Sequence, residues 1–186
     1  MLFGLKSEFA IEAMIEPGLA RPSAVYGRMQ VWCAGTSIGD FSNPYCSLYP
    51  AYLGFKQLLT TIPNLWLDEF EGLTDEHLTD LLDRLLYAAR GDQLIEDERT
   101  VKQCKGDWEK YRSFNFLTNW GEQFDREGKA FVFYPPGQPM KVLIRSGETR
   151  HILSLRASAS IVIEAIRLFL QWFEVSATSL LEQDSS

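Results

Sequence analysis

His77 stands in the stretch DEHLTD, with Asp80 three residues further on. Histidine and carboxylate together raise the question of a metal. No second histidine and no cysteine lies nearby, so the usual ligand set is missing. His77 reads instead as an exposed polar residue on the first turn of a helix. His151, in the strand-like stretch RHILSL, reads as a satisfied or exposed strand residue and not as a general base. Cys104 lies between Lys102 and Lys105, whose charge favours a thiolate, yet a nucleophile also needs an oriented base. Cys33 follows Trp32 on a strand and reads as a small apolar packing residue; Cys46, beside a turn, is the candidate for an exposed thiol. GTSIGD at 35–40 has glycines but lacks the lysine and the spacing of a phosphate loop. These residues form no catalytic constellation and call for no cofactor or metal.

The dense charge lies elsewhere. Residues 65–86 read LWLDEFEGLTDEHLTDLLDRLL, with Asp68, Glu69, Glu71, Asp75, Glu76, Asp80 and Asp83 opposed only by Arg84 and the neighbouring His77. Like charges this close repel, so their gathering asks for a reason. Asp75 and Glu76 complement the start of a helix, which accounts for part of the cluster. It does not account for LWLDEFEG, where Trp66 and Phe70 alternate with carboxylates before the helix begins. Aromatic anchors beside charge are what protein interfaces use. Core aromatics beside loop carboxylates are the rival reading. The candidate contact set is Trp66, Asp68, Glu69, Phe70, Glu71, Asp75, Glu76, Asp80 and Asp83.

The charge imbalance is local. The chain has a net charge of −7, while residues 68–98 alone carry −9 and the remainder +2. Such a surface disfavours nucleic acid and anionic membranes and favours a cationic partner. With 186 residues, 46% of them hydrophobic, the chain is long enough to bury a core without metal or disulfide staples. Three cysteines with no CxxC pair point to reduced thiols and a cytoplasmic protein. The N-terminus shows no secretion signal, and the apolar region 159–173 is too short and too polar to span a bilayer.

Strands are expected at 8–16, where Phe9, Ile11, Ala13 and Ile15 alternate with Glu8, Glu12 and Glu16, and at 24–34. PGLARPS between them reads as a loop and GTSIGD as a turn. Helices are expected at 47–61, with Pro50 in the first turn, and at 75–89, with Thr74 as N-cap and Leu73 and Leu78 as a hydrophobic staple. A mixed region follows to about 110. Strand-like pieces return at 112–118, 130–134, 140–145 and 150–155, before a last helix at 159–174 and a frayed tail, EQDSS. Segregated runs of this kind predict one α+β domain over residues 1–186, with a mostly antiparallel sheet and packed helices.

The opening MLFGLKSEFAIEAMIE, the strand GRMQVWCAG followed at once by TSIGDF, and the later NWGEQFD, AFVFYPP and MKVLIR resemble immunity protein family 42. The resemblance is strongest over the first 60 residues. It implies a cytoplasmic antitoxin of a bacterial polymorphic-toxin or contact-dependent growth inhibition system, without enzymatic activity. Such a protein binds the toxic C-terminal domain of a cognate secreted effector. Many such effectors are nucleases with cationic grooves, which an acidic surface would occupy or adjoin. The alternative is an acidic secretion chaperone or adaptor that holds a partner without neutralising it.

Overall fold

Period-two alternation at the N-terminus becomes a pair of strands in the computed structural model, which describes residues 1–16, 18–19, 25–90, 93–124, 128–145 and 151–184. Strand β1 (Leu2–Leu5) pairs with β2 (Phe9–Ile15), and β2 pairs antiparallel with β3 (Tyr26–Cys33), in a register that sets Ile11 opposite Val31. Burial alternates along β3, with Gly27, Met29, Val31 and Cys33 turned inward. On the outer face one oxygen of Glu12 accepts from Lys6, Gln30 and Trp32 at 2.8–2.9 Å. Burial raises the Glu12 pKa, but these donors outweigh it and hold the carboxyl below its usual range. Gly27 is required by a close approach: a Cβ there would lie 2.1 Å from the Met14 carbonyl.

Ala34 and Gly35, both at positive φ, turn the chain into β4 (Thr36–Ile38), which pairs back on β3. The stretch expected to be only a turn therefore holds a strand as well. Strand β5 (Cys46–Ser47) also pairs with β3 and closes a five-stranded sheet. That pairing buries Cys46, correcting the expectation of an exposed thiol. Helix α1 (Tyr49–Thr61) carries Pro50 in its first turn and buries Ala51, Tyr52, Phe55 and Leu58. Helix α2 (Asp75–Tyr87) starts at Thr74, whose hydroxyl accepts from the His77 N–H at 3.2 Å. It stops short of residue 89, because Ala88 adopts a left-handed conformation and Ala89 enters a small hairpin, β6 (Ala89–Arg90) with β7 (Gln93–Leu94).

Helix α3 (Val101–Tyr111) follows in the region expected to be mixed. Four strands then build a second antiparallel sheet in the order β11-β10-β9-β8: β8 (Asn115–Phe116), β9 (Lys129–Phe133), β10 (Met140–Arg145) and β11 (Ile152–Ala157). The single expected sheet is thus two, plus the hairpin. The last helix, α4 (Ala159–Asp184), runs ten residues beyond the expected end at 174. It covers β1 and β2 with Val162, Ala165, Ile166, Phe169 and Phe173, while Glu164, Arg167, Gln171 and Glu174 face solvent. Phe3 meets Phe169 edge-on at 6.1 Å, and Tyr52 of α1 stacks on Phe173 at 4.6 Å. Helix α2 lies over the second sheet, and one core cluster joins residues of both sheets and all four helices, an α+β arrangement among the described residues. Most of the PGLARPS loop, Asp92 and the final two serines lie outside the described residues.

Candidate partner-binding surface

The acidic stretch has two sides. A single 3-10 turn (Asp68–Phe70) leads into α2, and its apolar residue points inward. Phe70 is fully buried, with ring centroids 5.0 Å from Phe114 and 5.8 Å from Phe133. Trp66 packs edge-on against Phe70 at 5.7 Å and is half-buried. The aromatic alternation in LWLDEFEG is therefore mainly the signature of a core turn, and Phe70 presents no surface to a partner.

Several carboxylates are bound internally by cations that the second sheet and α3 deliver from outside the stretch. Lys141, Leu143 and Arg145 share one face of β10, and Lys129 is the register partner of Arg145 on β9. Asp75 accepts from Lys141 at 2.7 Å. Asp80 accepts from Arg145 at 2.5 Å and lies 3.4 Å from Arg90. Asp83 has no exposed surface; it is bonded to Lys129 and lies 3.4 Å from Arg145. A lone carboxylate there would be very costly, and paired cations offset that cost. Burial pushes the Asp75 pKa up, but its bonds to Lys141 and Ser154 win, and the carboxyl is held below the usual range. Glu69 is held down by Lys110 at 2.8 Å and by the Tyr111 hydroxyl.

Asp68, Glu71 and Glu76 are the members of the candidate set left exposed with no ion-pair partner among the described residues. They flank the entrance to α2. Asp83 and Phe70 belong to the interior, and Glu69, Asp75 and Asp80 spend their charge on the fold.

At the other end of α2, Arg99 acts as a clasp. It donates to the last-turn carbonyls of Arg84 at 2.9 Å and Leu85 at 3.1 Å, to both oxygens of Asp97, and to Asp107 of α3 at 2.6 Å. The Arg99 guanidinium and N–H hold the Asp97 carboxyl down to about 2. Beside the clasp, Asp80, Leu81, Arg84, Ala89, Arg90 and Ile95 line an open depression of about 520 Å³.

The remaining chemistry-bearing residues are scattered. His77 is exposed on the first turn of α2, and His151 is exposed just before β11. Cys33 is buried, which pushes its thiol up to about 12. Cys104 is half-buried, with its sulfur 3.7 Å from Asp97. Among the described residues no three His, Cys, Asp or Glu side chains group as metal ligands, and no helix is long and apolar enough to cross a membrane.

The chain matches the family described as Immunity protein 42 over residues 1–172. It belongs to that family. Among solved structures it is similar to CdiI from Burkholderia dolosa AUO158, at 14% identity and a TM-score of 0.61, covering 92% of this chain and 99% of that one. At that identity the likeness is one of fold. No curated protein matches the chain.

Proposed function

We propose that this protein is an antitoxin: it binds the toxic domain of a cognate secreted effector in the cytoplasm of the producing cell and neutralises it without catalysis. Family membership over residues 1–172 carries this reading. The structural likeness to a CdiI protein supports a contact-dependent inhibition system as its setting.

Asp68, Glu71 and Glu76, with the exposed edge of Trp66, are the part of the acidic stretch available to a cationic toxin, such as a nuclease with a basic groove. The internal pairing of Glu69, Asp75, Asp80 and Asp83 makes this a smaller negative patch than the formal local charge suggests. Its role is to speed encounter, and its effect weakens as salt rises.

Co-expression with the cognate toxin domain, sought first in the coding sequence next to this gene, tests the reading. Wild-type protein should restore growth and form a stable complex. A complex without restored growth would indicate a holding adaptor instead, and no complex at all would overturn the proposal.

A further inference from the structure

Helix α3 carries a second surface of opposite sign. Val101, Lys105, Trp108 and Arg112 recur at helical spacing along one side of it, away from the buried Tyr111. Val101 is 87% exposed and Trp108 is 42% exposed, more than either needs to be for packing. Lys102, Lys105 and Arg112 make no ion pair with a described residue, and Glu109 is the unpaired carboxylate beside them.

At the C-terminal end of this stripe a cleft opens between α1 and α3. Its volume is about 130 Å³, and Gly54, Gln57, Leu58, Trp108, Arg112 and Trp120 contribute to its walls. That volume is of the order that takes up one aromatic ring, in a cleft that is open to solvent and also lined by the polar Thr61, Ser113 and Asn115. The back wall is fixed: Trp120 packs edge-on against Phe55 at 5.1 Å and Phe116 at 5.6 Å, and lies on the α1 backbone at Gly54. A preformed cleft loses little freedom on binding. Tryptophan and arginine are also the residue types that dominate interface energetics.

We propose that this cleft seats an aromatic side chain carried on an acidic segment of the toxin domain. The ring enters between Trp108 and Trp120, and the flanking carboxylates meet Arg112 and Lys105. The proposal rests on the antitoxin reading and adds to it a docking point distinct from the acidic rim. The 3-10 turn bearing Asp68 also contacts α3, through Glu69 with Lys110 and Tyr111, so patches of both signs border this helix. Opposite charges side by side would fix the orientation of a partner as well as attract it.

The test measures affinity of the full chain for the toxin domain from which co-expression shows it to protect, carried in a non-toxic variant. Lys105→Glu combined with Arg112→Glu should weaken binding by about 30-fold or more, and Trp108→Ala by about tenfold or more. Melting of the charge-reversed variant should match wild type, because both positions are exposed; it keeps the test decisive if Trp108→Ala proves unstable. Affinities for the charge-reversed variant within about twofold of wild type would overturn the proposal. Wild-type protein that neither binds nor protects would instead remove the antitoxin reading, and this inference with it.

Discussion

Arg145 of β10 and Asp83 of α2 lie 62 residues apart in sequence and 3.4 Å apart in space, with Asp83 fully buried and also bonded to Lys129. This contact ties the acidic helix to the second sheet. Removing Asp83 takes a buried carboxylate from Lys129 and leaves Arg145 with Asp80 as its remaining carboxylate. Asp83→Ala should therefore destabilise the fold by about 3–5 kcal/mol, read as a lowered urea midpoint. A loss below about 1 kcal/mol would show that the cations find water or other acceptors.

The exposed rim should behave differently. Asp68→Lys, Glu71→Lys and Glu76→Lys together should cost only about 1 kcal/mol of stability, the share of Glu76 in the first turn of α2, since none makes a described ion pair. Association with the toxin should slow by about tenfold or more at low salt, and its salt dependence should flatten. Kinetics at two ionic strengths check this. Salt-insensitive wild-type association would make the rim a solvated face only.

Phe70→Ala serves as the contrasting variant. Phe70 is core, so the change should cost about 3–5 kcal/mol of stability. Binding by the fraction that remains folded should be close to wild type. Calorimetric melting paired with binding at low temperature separates the two effects.

Gly54 sits inside α1, where alanine would ordinarily stabilise a helix by about 1 kcal/mol. Here a Cβ would lie 2.3 Å from the Trp120 ring. Trp120 is braced by Phe55 and Phe116 on one side and borders the cleft on the other, so it can yield only by moving into that cleft. Overpacking should win, and Gly54→Ala should lose about 1–3 kcal/mol net. Its tryptophan emission should shift as the ring is displaced.

Acid should weaken the clasp at Arg99. Asp97 titrates at about 2 when folded, below the unfolded value of about 3.9. Its contribution is therefore complete above roughly pH 4 and is lost as pH falls toward about 2. Glu69, Asp75 and Glu12 are depressed as well, so wild type should also lose stability on that side. Arg99→Met should start less stable at pH 7 and fall less steeply between pH 4 and 2, as followed by denaturation midpoints. Parallel curves for the two proteins would mean that Asp97 is not depressed by Arg99.

Much of this architecture is legible along the chain. The alternation in EFAIEAMIE and in VYGRMQVWC yields β2 and β3, and the leucine stripe behind Thr74 yields α2, because each pattern records a one-sided environment. Helix α3 was harder to read, since only Tyr111 is buried and no apolar stripe announces it. Its signal was the cap: Thr100 and Gln103 bond reciprocally, in a spacing visible in TVKQ. Leu2–Leu5 is too short for alternation to stand out, and β4 hides in a run of turn residues. The candidate surface was the least legible part. Whether a carboxylate faces solvent or a cation depends on tertiary register, and Lys129, Lys141 and Arg145 reach α2 only once β9 and β10 are paired.

Helix α4 covers β1 and β2, strands that leave the ribosome long before Ala159 is made. Until then Phe3, Phe9 and Ile11 have no apolar roof, and the first sheet is exposed to wrong partners. The packing of β1 and β2 is therefore completed late in synthesis, through contacts of long sequence separation. As the proposed antitoxin, the protein would be ready to act only once α4 has emerged and closed onto β1 and β2.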